Sequence, residues 1–286
     1  MKRLPSIKRR RRRRAVKRRP INVLASVLTS FGLYCGISSI FATIQGEYEN
    51  AAYWILGALV FDMLDGTIAK LTKSVSEFGK QLDSLCDLVS FGTAPAALIY
   101  KAHLHEPGAA DSWVGRTGSV VAIVFVICGA LRLARFNVYQ SERRDYFVGL
   151  PIPAAGATIA AFVLFTQYFE ISVRYGVLVP VTLGLAYLMV STVRYPKDKL
   201  KFFVFAPRNA FRILAICVIG IAVFHYARTY SLKIVLLPVM IIYLFFGLGD
   251  ELLLRLHRRS LHVQTQAKAE GAGETPPDHV SESPPP

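Results

Sequence analysis

Acidic residues are scarce in this 286-residue chain: 19 Asp and Glu stand against 34 Lys and Arg, a formal net charge of +15. Each acidic residue inside an apolar run therefore needs a reason. Cysteine is sparse too. Cys35, Cys86, Cys128 and Cys217 all lie in apolar stretches, which argues against disulfides or zinc ligands and reads as small core residues. Long polar segments of the soluble-domain kind are few. Hydrophobic residues make up 53% of the chain and mean hydropathy is +0.38, which excludes an ordinary soluble domain of this size. A cleavable signal peptide is not expected, because the apolar run after Pro20 continues too long for one. No folded recognition module accompanies the arginines, so nucleic acid is not an expected partner.

What is present reads as an all-α, polytopic membrane helix bundle. Residues 1–20 form a polybasic arm that cannot fold alone, since like charges repel and nothing apolar is there to bury. It fits a disordered cytoplasmic flank, attracted to anionic headgroups of the bilayer. Eight segments near 20 residues each are long enough to span: 21–45, 50–72, 80–103, 117–139, 150–168, 175–194, 207–227 and 232–250. The first six make a core over 21–200 and the last two an addition over 201–255. A tail over 256–286, rich in Pro, Glu, Gly and Ser, reads as disordered. Lys and Arg concentrate in alternate loops, around 72–80, 141–147 and 194–201, with more after Arg255. That bias predicts an integral membrane protein with both termini cytoplasmic.

The chemistry concentrates in FDMLDGTIAKLTKSVSEFGKQLDSLCDLVSFG, which holds Asp62, Asp65, Asp83 and Asp87. Charge at membrane depth costs about 2.5–3.5 kcal/mol per residue on insertion scales. Spacings of three and four put each pair on one helix face. A short loop makes the two helices antiparallel, so the pairs can converge near the cytoplasmic surface. Convergent carboxylates repel, and two Mg²⁺ or Mn²⁺ ions would relieve this, hard oxygen ligands suiting hard cations. A paired-metal site is a clamp for phosphoryl chemistry. Gly66, Ala69 and Gly79 would let a ligand approach the backbone, and Lys70 and Lys73 add positive charge. The plainer alternative is helix-end carboxylates facing water or paired with Lys70, Lys73 and Lys80.

The string Asp62-xx-Asp65-Gly66-xx-Ala69-Lys70-x8-Gly79-xxx-Asp83-xxx-Asp87 resembles the signature of the CDP-alcohol phosphatidyltransferase family. Lys70 departs from it, standing where the family usually has Arg; the charge stays but the bidentate fork for phosphate is lost. The resemblance implies a six-helix dimeric bundle with an intramembrane cavity open to the cytoplasm, holding two metals and a CDP-linked lipid. It implies that Asp62, Asp65, Asp83 and Asp87 bind the metals, with Asp87 also the general base. It further implies that Ser26, Thr29, Gly66, Ala69, Lys70, Ser76 and Gly79 line the CDP-lipid. Hydroxyls in membrane helices often bond their own backbone instead, and that stays open for Ser26 and Thr29.

Leu33–Gly36 (LYCG), Leu82–Ala96 (LDSLCDLVSFGTAPA), Ala130–Asn137 (ALRLARFN) and Phe147–Ala155 (FVGLPIPAA) resemble one branch of that family, the integral-membrane phosphatidylserine synthases. This implies CDP-diacylglycerol and serine as substrates. Arg132 and Arg135, three apart, could grip a carboxylate, with Asn137 and the Pro151–Pro153 turn shaping the same pocket. The arginines could equally snorkel to headgroups, and the prolines could simply start a helix. Within the family the acceptor could be glycerol 3-phosphate or inositol phosphate. Outside it stand an intramembrane prenyltransferase and a divalent-cation transporter. His103, His105 and His225 read as surface or packing residues.

Overall fold

The computed structural model describes residues 23–72, 76–105, 113–139, 146–191, 193–196 and 233–245. The first six helices are α1 (Val23–Gln45), α2 (Tyr48–Leu71), α3 (Glu77–Leu104), α4 (Trp113–Tyr139), α5 (Ile152–Tyr168) and α6 (Tyr175–Val190). A further helix, α7, covers Lys233–Phe245. The expected span at 207–227 lies outside the described residues, as do the N-terminal arm and the tail.

Helix α1 shows how this composition packs in a membrane. Its buried positions are small or polar: Thr29, Gly32, Cys35, Gly36, Ser39, Ala42 and Thr43. Its large apolar residues, among them Phe31, Tyr34, Phe41 and Ile44, are exposed. In lipid the apolar face need not hide, and helices associate where small side chains let backbones approach. A Cβ at Gly32 would sit 3.7 Å from the Phe61 Cβ of α2. Helix α2 turns its own small residues, Ala51, Ala52 and Ala58, inward beside Ile55. Helices α1, α2, α3 and α4 are long and apolar enough to cross a membrane. Helix α5, with Ala155, Gly156, Ala157, Ala160 and Ala161 buried, is the enclosed centre of the bundle.

Three local features depart from the sequence expectation. Helix α3 begins at Glu77, three residues early, because Ser76 caps it: the Ser76 hydroxyl accepts the Gly79 N–H at 3.0 Å. Asp83 and Asp87 thus lie one turn deeper in the helix than a start at residue 80 would put them. Helix α3 is also not uniform, widening to π-helical pitch over Leu88–Thr93 and again over Tyr100–Leu104. Helix α6 ends at Val190, short of the expected 194, because the chain there turns extended. Strand β2 (Arg194–Pro196) pairs antiparallel with β1 (Tyr146–Val148).

That short ladder ties the α4–α5 connection to the end of α6. Gly149 and Leu150 extend it, donating to the carbonyls of Val193 at 2.8 Å and Leu188 at 3.0 Å. Gly149 has φ +83°, and a Cβ there would run into the Met189 carbonyl. Pro151 and Pro153 then open α5 in the positions where proline costs no hydrogen bond. At its start α7 is pinned to α2 by an ion pair, Lys233 to Glu49 at 2.5 Å. Cys35, Cys86 and Cys128 are free thiols, and Cys217 lies outside the described residues. His103 bonds the Thr166 hydroxyl at 2.9 Å and His105 the Tyr100 hydroxyl at 3.3 Å, both packing contacts; His225 is outside the described residues.

Candidate active site

Helices α2 and α3 meet as the spacing predicts. Carboxylate oxygens of Asp62, Asp83 and Asp87 all lie within 4.8 Å of one another. Two oxygens on opposite sides of a divalent ion at 2.0–2.6 Å stand roughly 4–5 Å apart, so one ion fits among these three. The donor set is oxygen only, which suits a hard cation. Asp65, 5% exposed, turns toward α1, where the Thr29 hydroxyl donates to its Oδ2 at 2.6 Å. The same hydroxyl oxygen lies 2.9 Å from the Ala25 carbonyl. One hydroxyl proton serves one strong bond, and the shorter contact to the carboxylate takes it. All four aspartates line one small cavity of about 10 Å³ together with Thr29 and Ser90. That is the room of one water or ion.

The remaining expected residues surround this centre in different ways. Gly66 follows Asp65 on α2, and a Cβ there would meet nothing within 4 Å among the described residues. Ser76 spends its acceptor on the α3 cap, with Gly79 in the same first turn. Ala69 and Lys70 continue α2 as backbone, and their side chains, like Lys73, lie outside the described residues. Ser26 sits on α1 one turn before Thr29 and Ser30, and its carbonyl accepts the Ser30 hydroxyl at 2.8 Å.

The two arginines of α4 divide into different jobs. Arg135 donates to the carbonyls of Val190 at 2.7 Å, Ser191 at 3.1 Å and Met189 at 3.3 Å. It caps the C-terminus of α6, where carbonyls lack helical partners. Replacing it strands those carbonyls, so Arg135→Ala should cost about 1–3 kcal/mol in stability. The check is thermal unfolding in detergent, and an unchanged melting temperature would refute the capping role. Arg132, 7% exposed, stacks its guanidinium 5.3 Å over the Phe136 ring. It lies within electrostatic reach of Asp87 and Asp62. Its Nε has no hydrogen-bond partner among the described residues. A buried orphan donor beside a carboxylate cluster is a place for a ligand. Asn137 links α4 to α3, donating to the Ser84 hydroxyl at 2.9 Å.

Ser90, which the sequence shows only within the LDSLCDLVSFGTAPA motif, lines the acid cavity at 2% exposure. The available signal was a hydroxyl three residues after Asp87 in an otherwise apolar run. Thr29 was expected at a nucleotide, and its observed partner is Asp65.

The profile of the CDP-alcohol phosphatidyltransferase family matches residues 22–195. The chain belongs to that family. It is accordingly a transferase of phospholipid synthesis with membrane helices, and the match covers α1 to α6 and leaves α7 outside. The CDP-diacylglycerol–serine O-phosphatidyltransferase of Helicobacter pylori (strain J99) is 35% identical over 185 residues, 63% of this chain and 74% of its own. The Bacillus subtilis protein of the same name is 34% identical over 179 residues, 63% of this chain and 93% of its own. An archaetidylserine synthase of Methanothermobacter thermautotrophicus is 38% identical over 176 residues, 61% of this chain and 70% of its own.

Proposed function

We propose that this chain transfers the phosphatidyl group of CDP-diacylglycerol to the hydroxyl of serine, giving phosphatidylserine and CMP. The observation that carries the chemistry is the trio Asp62, Asp83 and Asp87 within 4.8 Å, with buried Arg132 beside it. Support for serine is twofold: similar proteins carry names that specify serine transfer, and Arg132 offers a guanidinium suited to a carboxylate.

In the reaction the serine oxygen forms a bond to the lipid-linked phosphorus, and the bond from that phosphorus to the bridging oxygen breaks. CMP leaves with the bridging oxygen, and the serine proton passes to Asp87. Asp62, Asp83 and Asp87 would hold one divalent ion, Mg²⁺ or Mn²⁺, in the cavity as it stands, and a second would need Asp65 and a wider cavity. Bound there, the ions would supply positive charge to the diphosphate as charge builds on the leaving group. Gly66 leaves the α2 backbone open to the diphosphate, and Lys70 adds a cation. Ser26, Thr29, Ala69, Ser76 and Gly79 complete the nucleotide wall. Thr29 also holds Asp65 in one orientation at the α1 side of the cavity. Arg132 grips the acceptor carboxylate, with Asn137 at the rim. Arg135 serves that grip indirectly, by fixing the end of α6 against α4. The site faces the cytoplasm, the protein works as a homodimer, and the basic arm meets anionic headgroups.

The test is CMP release by purified protein with serine, glycerol 3-phosphate and inositol phosphate in parallel. Release with serine alone is expected; release with another acceptor instead would overturn the choice of serine. If Arg132 binds the acceptor, Arg132→Ala should weaken serine by about 2–5 kcal/mol, read as a raised KM for serine with the KM for CDP-diacylglycerol little changed. Equal rises in both constants would refute that role.

A further inference from the structure

Immediately after Asp87, α3 leaves ordinary α pitch and runs as a π-helix over Leu88–Thr93. Such turns are rare and recur at functional positions. A widened turn needs room, and glycines on two other helices provide it. On α1, a Cβ at Gly36 would lie 2.8 Å from the Ser90 Cα and would strike the Ser90 hydroxyl. On α5, a Cβ at Gly156 would lie 2.9 Å from the Phe91 carbonyl oxygen and 3.0 Å from the Phe91 Cα. The backbone of residues 90 and 91 is therefore held between α1 and α5 at direct contact. Gly32 and Gly36, four apart on one face of α1, make the approach of the helices possible.

A directional bond adds to this grip. The Ser90 hydroxyl donates to the Gly32 carbonyl at 3.1 Å, a buried link between α3 and α1. The Thr93 hydroxyl donates to the Leu88 carbonyl at 3.2 Å, five residues back, giving the widened turn an extra bond of its own. Ser90 and Phe91 also line the cavity that holds the four aspartates. Two of those aspartates come from α2 and two from α3. Where Asp87 stands relative to Asp62 thus depends on where the turn after Asp87 is locked to α1.

We propose that Ser90 is a positioning residue: through its bond to Gly32 it fixes the π-turn that sets the Asp87 carboxylate opposite Asp62. The proposal rests on the reading of Asp87 as the group that acts on the acceptor hydroxyl. Ser90 touches no substrate in this scheme and acts only through Asp87. A cluster that must match an ion and an attacking oxygen tolerates little error, and misplacements near 1 Å can cost about a hundredfold in rate.

The experiment compares wild type with Ser90→Ala in CMP-release kinetics and in Mn²⁺ binding followed by electron paramagnetic resonance. Ser90→Ala keeps the Cβ and loses only the bond. Its kcat should fall about tenfold to a hundredfold, with KM for serine and CDP-diacylglycerol within about twofold of wild type. The Mn²⁺ concentration at half-saturation should rise about threefold or more, as expected when a group supporting metal ligands is lost. Gly156→Ala, which presses on the same turn from α5, should give the same split. Gly184→Ala, whose added Cβ meets nothing within 4 Å among the described residues, should leave every constant unchanged. A Ser90→Ala protein with wild-type kcat and Mn²⁺ binding would overturn the proposal. So would a loss confined to melting temperature or to KM. An inactive wild type would defeat the reading of the reaction instead, and the Mn²⁺ titration would still decide whether Ser90 positions the cluster.

Discussion

Asp87→Asn should release CMP at less than about one-thousandth of the wild-type rate, since general-base catalysis alone contributes about 10²–10⁴ and a metal ligand is weakened as well. The substitution is isosteric, so packing around α3 is preserved. On the proposed reading it removes the proton acceptor for the serine hydroxyl, and it removes one of three carboxylates that converge within 4.8 Å. The stability change has the opposite sign. Four aspartates line a cavity of about 10 Å³, and without cations their charges repel. Removing one charge relieves that repulsion, so the metal-free variant should melt at or above the wild-type temperature. Activity lost with stability kept or gained is the signature of a functional residue. Thermal unfolding in chelator, run beside the CMP assay, reads both. A variant within about tenfold of wild type would rule Asp87 out as the base, because that is below the usual range for such a group.

Removing divalent cations should have an effect as large. With chelator in excess, CMP release should fall below detection and return when Mg²⁺ or Mn²⁺ is added. The physical reason is again the trio of Asp62, Asp83 and Asp87. Arg132 brings one positive charge near Asp87, which cannot balance four carboxylates and a diphosphate. Metal should also stabilise the fold, because an ion that binds only the folded protein adds about 2.7 kcal/mol at a hundred times its dissociation constant. The melting temperature should therefore climb with Mg²⁺ or Mn²⁺ in wild type and climb less in Asp62→Asn. Full activity in chelator, with the ions verified absent, would overturn the metal requirement.

Much of this architecture was legible because membrane helices announce themselves locally. Length and apolarity placed α1 to α6 within a few residues, since each helix satisfies its own backbone whatever surrounds it. The misses have tertiary causes. Helix α6 ends at Val190, where the chain turns extended, and Arg135, 55 residues away, takes up its terminal carbonyl. The β1–β2 ladder pairs segments that hydropathy reads only as loops. The π-turn after Asp87 has no local signature and exists because Gly36 and Gly156 leave space on opposite sides.

The site divides in the same way. Spacing of three and four, fixed by helix pitch, determined that each aspartate pair shares a face, and a short connection determined that the faces meet. The sequence by itself therefore pointed to the family, the helical class and the convergence of acids from α2 and α3, of which Asp62, Asp83 and Asp87 come together. Only the tertiary structure decided that Asp65 turns to Thr29, that Arg135 caps α6 while Arg132 lies buried near Asp87, and that Ser90 joins α3 to α1. Those choices hang on hydrogen bonds of 2.6–3.3 Å between helices, set by packing and not by period. A helix's faces follow from its own residues, whereas the partner each face meets depends on how all the helices close around one another.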